Sequence, residues 1–212
     1  MDRTERAGEG AAGRRGNRPS HAGAGGRLAE RVIVNVGALA DRVAWATDVA
    51  RQGRAGSITS AEPLSLGAYL VVAAHPDVRV ARDLARGPLA PYAHFSGMPG
   101  GPSAGLTAED RAVVEALTAD YAVSGHSTRH PSEAVRLGRS QPHHLVHLDD
   151  RFVDRFAVVG PPQHCVARLR ELEDLGLGQV LLVEGRHPSL VDEGRRAHRC
   201  LVEEVLPALR HE

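Results

Sequence analysis

Apolar residues come in short unbroken runs that alternate with stretches of helical spacing. Val32-Ile33-Val34-Asn35-Val36 is a β-branched run, and after Gly37 the apolar positions Leu39, Val43, Ala46 and Val49 to Ala50 lie on one helical face. A strand followed by an amphipathic helix is predicted. Leu66 to Ala74, rich in Val and Leu, repeats the first element, and Pro76-Asp77 opens a helix through Val80, Leu84 and Leu89. The order returns near the C-terminus. Phe156 to Val159 predicts a strand, Gly160-Pro161-Pro162 a turn into a helix through Val166, Leu169 and Leu172, and Val180 to Val183 a fourth strand. A last helix is predicted from about Ser189 to Leu209. Strands apolar at nearly every position suit burial on both faces, and their alternation with helices predicts a parallel α/β sheet or barrel.

Two stretches break the rhythm. From Met1 to Gly26 there is no Val, Ile, Leu or aromatic residue, only Gly, Ala, Arg and polar residues. Such a segment cannot bury enough apolar surface to offset its ordering entropy, so residues 1–26 are expected to be a disordered tail before a domain at 27–212. Between about 91 and 150 the strand signal vanishes. Thr107-Ala108-Glu109-Asp110 resembles a capping box ahead of a helix through Val113, Val114, Leu117 and Tyr121, which predicts a helical insertion between two βα units.

Composition narrows the chemistry. All 26 basic residues of the 212-residue chain are Arg, balanced by 26 acidic ones to a net charge of zero. Without Lys there is no Walker A loop, no Schiff-base lysine and no lysine general base. Neutrality gives no broad field for nucleic acid or a membrane surface, so neither is expected as a partner. Cys165 and Cys200, 35 positions apart, form no Cys-x-x-Cys pair; neither a disulfide framework nor a sulfur-rich zinc site is indicated. With no apolar run of about 18 residues and no signal-peptide core, a cytoplasmic chain is the expectation.

Four sequence features could carry chemistry. Gly101-Pro102-Ser103-Ala104-Gly105 has the Gly-x-Ser-x-Gly spacing of a nucleophile elbow but follows Gly97-Met98-Pro99-Gly100 rather than a strand, so a loop is favoured. His126, His130, His143, His144 and His147 cluster in sequence, and His143 with His147 would share a face of an α-helix. Pro131 and Pro142 interrupt that stretch and no Glu stands between the paired histidines, which favours solvated loop histidines over a metal site. Gly160-Pro161-Pro162 opens a helix whose first N–H groups, from Gln163 and His164, point outward and can meet a phosphate. Asn35 and Gly37 end a parallel strand, where α/β folds place ligands. Asn35, Gly37, Gly160 and Gln163 are therefore the candidate cofactor contacts; no catalytic residue and no metal ligand is assigned.

Taken in order, Gly26-Arg27-Leu28-Ala29-Glu30-Arg31-Val32-Ile33-Val34, Gly67-Ala68-Tyr69 with His75-Pro76-Asp77, Phe152 through Leu169, and Glu203-Glu204-Val205-Leu206-Pro207-Ala208-Leu209-Arg210 resemble the luciferase-like monooxygenase family. More narrowly they resemble its deazaflavin-dependent branch, which includes methylenetetrahydromethanopterin reductase. The resemblance covers about residues 26 to 210. It implies an eight-stranded βα barrel using FMN or the deazaflavin coenzyme F-420, active as a monooxygenase or hydride-transferring reductase on a small-molecule substrate. Only the C-terminal part of that barrel is matched. Four strands are counted, and a closed barrel needs at least roughly 200 residues. The expectation is thus a partial TIM barrel, its C-terminal half, with a helical insertion. Such a chain is expected to form a homo-oligomer or to pair with a complementary N-terminal half-barrel. A non-catalytic interaction module and a His-rich metal-binding domain are the alternatives.

Overall fold

The computed structural model describes residues 19–58, 61, 63–97, 104–120 and 143–210. Helix α1 spans Pro19–Leu28, β1 Arg31–Val34, α2 Ala40–Ala55, β2 Ser65–Ala74, α3 Val78–Gly97 and α4 Ala108–Asp120. A 3-10 helix at His143–His147 leads into α5 (Asp150–Phe156), β3 (Val158–Gly160), α6 (Pro162–Glu173) and β4 (Gln179–Glu184). Helix α7 (Val191–Cys200) continues through a π-helical turn, Leu201–Val205, into Leu206–Ala208. Among the described residues no helix is long and apolar enough to cross a membrane.

Among the described residues all strand pairs are parallel and β2 is the hub. Arg31 to Val34 pair with Ser65 to Ala68, Val158 to Gly160 with Val72 to Ala74, and Gln179 to Glu184 with Gly67 to Val72. Because Gly67, Ala68 and Val72 each pair twice, β4 occupies one edge of β2 while β1 and β3 lie end to end on the other. In a barrel segment each strand would pair with the next and the helices would share one face; here, among the described residues, β4 pairs with β2.

Right-handed crossovers explain the difference. The chain steps from β1 to β2 with α2 on one face; stepping back from β2 to β3, a right-handed connection must cover the opposite face. Leu66, Ala68, Leu70, Val72 and Ala74 of β2 accordingly pack in one core with Val43, Ala46 and Ala50 of α2, Cys165, Leu169 and Leu172 of α6, and Leu201 and Val205. Val71 and Ala73 point the other way, into a second core with Leu84 and Leu89 of α3, Val114 and Leu117 of α4, and Phe152 and Phe156 of α5. The strand face that a half-barrel would leave bare is thus covered, with Val71 and Ala73 only 1% and 2% exposed.

Three boundaries differ from the sequence reading. Part of the expected tail is helix α1, packed on α2. Its glycines permit the contact: a Cβ on Gly26 would sit 2.0 Å from the Ala50 carbonyl oxygen, and one on Gly53 of α2 2.2 Å from that of Gly23. Small residues here replace bulk with close backbone approach. Residues 1–18 lie outside the described residues. Phe156 and Ala157, read as strand, close α5 instead, because Asp149 caps that helix by accepting the Phe152 N–H at 2.6 Å. Phe152 and Phe156, one turn apart, stack at 4.0 Å in the core. Helix α3 runs through Pro88 and Pro91 to Gly97, past the expected start of the insertion, since Leu89, Ala90 and Ala93 remain buried along its face.

The capping box at α4 is present in reciprocal form. The Asp110 N–H donates to the Thr107 hydroxyl at 3.1 Å, and the Thr107 N–H to the Asp110 carboxylate at 3.0 Å. Fully buried Asp110 also accepts from Arg151 at 3.1 Å and Arg155 at 3.0 Å, which ties α4 to α5. Burial opposes its ionisation, but the Thr107 backbone N–H, Arg155 and the Thr107 hydroxyl outweigh that and hold the carboxyl below the usual range.

Candidate functional site at the strand ends

Just past the carboxyl end of β2 is His75, 1% exposed. Its backbone N–H donates to the Gly160 carbonyl at 2.8 Å, which extends the β2–β3 ladder by one rung and joins the two strand ends. The ring is held at both nitrogens. Nδ1 lies 3.0 Å from the Asp77 backbone N–H and 3.1 Å from the Asp77 carbonyl, and Nε2 lies 2.8 Å from the Glu193 carboxylate of α7. Asp77 precedes α3, its side chain accepting the Arg79 N–H at 2.9 Å; that bond, chiefly, lowers its pKa, with burial opposing it.

Gly160 ends β3 with φ +126°, a conformation closed to L side chains, and its carbonyl also accepts from the Cys165 thiol at 3.4 Å. Pro161 follows with extended ψ and no side-chain cap, and Pro162 starts α6. The first N–H groups of a helix have no intrahelical partner. Gln163 and His164, both exposed, therefore stand at an uncapped positive helix end beside His75.

Asn35 and Gly37 lie elsewhere. Val34 pairs with Ala68 and Gly160 with Ala74, so Asn35 falls beside Tyr69, five residues down β2 from Gly160. At a strand's rise this is about 17 Å. Half-buried Asn35 has a buried Oδ1 without a hydrogen-bond partner among the described residues. Gly37, at φ +81°, lies where a Cβ would meet the Phe156 ring at 2.8 Å. The loop is tied down on three sides. The Ala38 N–H donates to the Phe156 carbonyl at 2.9 Å, Arg168 of α6 to the Ala38 carbonyl at 2.9 Å, and Arg42 Nε to the Val36 carbonyl at 3.0 Å. Arg42 is fully buried, reaches the Ala104 carbonyl at 2.9 Å and lies 5.5 Å from the Phe156 ring centre; burial lowers its pKa to about 10, partly opposed by Asp110, so it stays charged at neutral pH.

The structure therefore gathers Gly160 and Gln163 with His75 and Glu193, and separates them from Asn35 and Gly37. The pair His75–Glu193 was beyond sequence reasoning, because 118 positions separate its members. The one signal was His75-Pro76-Asp77 at a predicted strand end.

Other candidates do not join this site. His143 and His147 sit on a 3-10 helix, where residues four apart do not share a face, and His147 bonds Asp120 at 2.6 Å. Among the described residues no three His, Cys, Asp or Glu side chains gather as a metal would need. His126, His130 and Ser103 lie outside the described residues. An open cleft of about 550 Å³ beside α3 is lined by Asp83, Arg86, Leu148, Asp150 and His187. Arg86 is engaged there by Asp83, Asp150 and the Leu148 carbonyl.

By structure the chain is similar to the coenzyme F-420-dependent tetrahydromethanopterin reductase from Methanopyrus kandleri, with a TM-score of 0.58 and 18% identity over 92% of this chain and 50% of that one. It is also similar to an F-420-dependent secondary alcohol dehydrogenase solved in complex with an F-420–acetone adduct, with a TM-score of 0.55 and 13% identity over 92% and 48%. The chain thus spans about half the length of these structures. No curated protein matches it. The model of the luciferase-like monooxygenase family matches residues 16–179, from α1 to the start of β4. With most of its length inside that match, the chain belongs to the luciferase-like monooxygenase family.

Proposed function

We propose that this chain is the coenzyme-binding part of an oxidoreductase that uses coenzyme F-420 or FMN and acts on a small-molecule substrate. The match of residues 16–179 to the luciferase-like family carries the reading, and the F-420 named for both structural neighbours favours the deazaflavin. The coenzyme, when bound, supplies hydride exchange at its ring system.

The residues at the strand ends fit the phosphate that both coenzymes carry. Gly160 leaves the approach to the α6 terminus clear, and the N–H groups of Gln163 and His164 are the donors. Pro161 offers no side-chain cap, so recognition falls to the backbone alone. His75 and Glu193 act as positioning residues: they pin α7 to the end of β2, beside the Gly160 turn.

Fluorescence titration tests this. Adding the chain to micromolar F-420, and separately to FMN, should change the emission of at least one of them in a saturable way. Gln163→Glu, an exposed substitution that places a negative charge at the helix end, should weaken binding several-fold while leaving the circular dichroism spectrum unchanged. No saturable change with either coenzyme would sink the reading.

A further inference from the structure

The two edges of the sheet are built differently. On one edge β1 is four residues long and starts at Arg31, and α1 lies against it, with Gly25 packed on the Val32 side chain. On that same edge β3 has three residues and runs straight into Pro161 and Pro162. Short strands, a charge, prolines and a covering helix are the devices that keep sheet edges from pairing.

The opposite edge has neither the short strand nor the prolines. β4 is six residues long, reads Gln-Val-Leu-Leu-Val-Glu without Pro, Lys or Arg, and among the described residues pairs only with β2. Its apolar residues are incompletely covered on both faces: Leu181 is 36% exposed, and Val180, Leu182 and Val183 are half-buried. A strand this apolar has the composition of a sheet interior but stands at a margin. Glu184, its one charge, is at the end of the strand and is held by His198 at 2.9 Å.

We propose that the outer edge of β4 is an interface through which two copies of this chain pair antiparallel. The edge is complementary to itself. A two-fold axis perpendicular to the sheet keeps each face continuous across the junction, so residues of equal parity must oppose one another. With the axis at Leu181, Leu181 faces Leu181 of the second copy, Val180 faces Leu182, and Gln179 faces Val183. Glu184 then falls opposite Gly178, so no like charges meet. A net charge of zero adds no repulsion between the copies. The unpaired strand edge gains hydrogen-bond partners, and the half-covered side chains gain cross-strand neighbours.

Size-exclusion chromatography with light scattering on the full chain, without coenzyme, reads the proposal separately from the coenzyme reading. The wild type should elute at twice the 22.6 kDa chain mass. Leu181→Lys and Leu181→Glu, each placing like charges face to face, should each weaken self-association at least tenfold. An equimolar mixture of the two should recover the dimer mass. Val146→Lys, at a 78% exposed position in the 3-10 helix, should leave the dimer unchanged. Hydrogen exchange of the wild type keeps the test open if a Leu181 variant fails to fold: amides 179–184 should become more protected as protein concentration rises. A wild type monomeric at all concentrations, a dimer indifferent to both Leu181 charges, or exchange at 179–184 independent of concentration would each overturn it.

Discussion

Replacing Asp110 with Ala should cost the domain about 3 kcal/mol, a value reached from two losses. Half of the capping box at Thr107 is lost: the Thr107 N–H loses its carboxylate acceptor while the backbone N–H of residue 110 still reaches the Thr107 hydroxyl, and the lost bond costs about 1 kcal/mol. The fully buried carboxylate also leaves Arg151 and Arg155 without their shared acceptor. Breaking a buried pair costs roughly 3 to 5 kcal/mol when the remaining charge stays buried. Here the two arginine side chains are 38% and 35% exposed and can turn to water, so about 2 kcal/mol is the appropriate share. Urea unfolding followed by circular dichroism at 222 nm reads the sum: at an unchanged slope the midpoint should fall by about 1 M or more. Asp110→Asn, which keeps an acceptor for the cap but loses the charge, should fall by less. The carboxyl is held below its ordinary pKa, so its charge-dependent contribution is complete above the unfolded value near ~4 and lost as pH drops through the folded one. The gap between wild type and Asp110→Asn should therefore close on acidification below about pH 4. A midpoint within experimental error of wild type for Asp110→Ala would refute the reasoning.

Gly26→Val forces side-chain atoms into the Ala50 backbone and should undock α1 from α2, with faster amide exchange over 21–28 and a loss of about 1 to 3 kcal/mol. Unchanged exchange there would mean the close approach is not needed. The thiols should be inert in the folded chain. Burial, with Cys200 nearby, pushes the Cys165 pKa to about 12, and burial raises that of Cys200. Ellman's reagent at pH 8 should label neither thiol quickly in the native protein and both in guanidinium; fast native labelling of Cys165 would contradict its placement.

What could be read from the sequence was local. Strands β1, β2 and β4 follow from β-branched or leucine-rich runs, and the Thr107–Asp110 cap from its spacing, since the forces that form them act within a few residues. Helix α1 was missed because its glycines matter only once α2 is beside them. The same limit applied at the site. Asn35 and Gly160 both end predicted parallel strands, and grouping them assumed that the strand ends lie level. The end-to-end placement of β1 and β3 along β2 depends on a crossover over the second face, which no local pattern encodes. Glu193 sits in a polar, exposed helix, and only its distance to His75 marks it.

Hydrogen exchange of the chain with and without saturating F-420, repeated with FMN, locates the coenzyme on the fold. Exchange should slow for the Gln163 and His164 amides at the start of α6 with at least one of these coenzymes, with little change around Val36 to Leu39. Protection that appears only at the Asn35 loop, or no protection with either coenzyme, would contradict this placement.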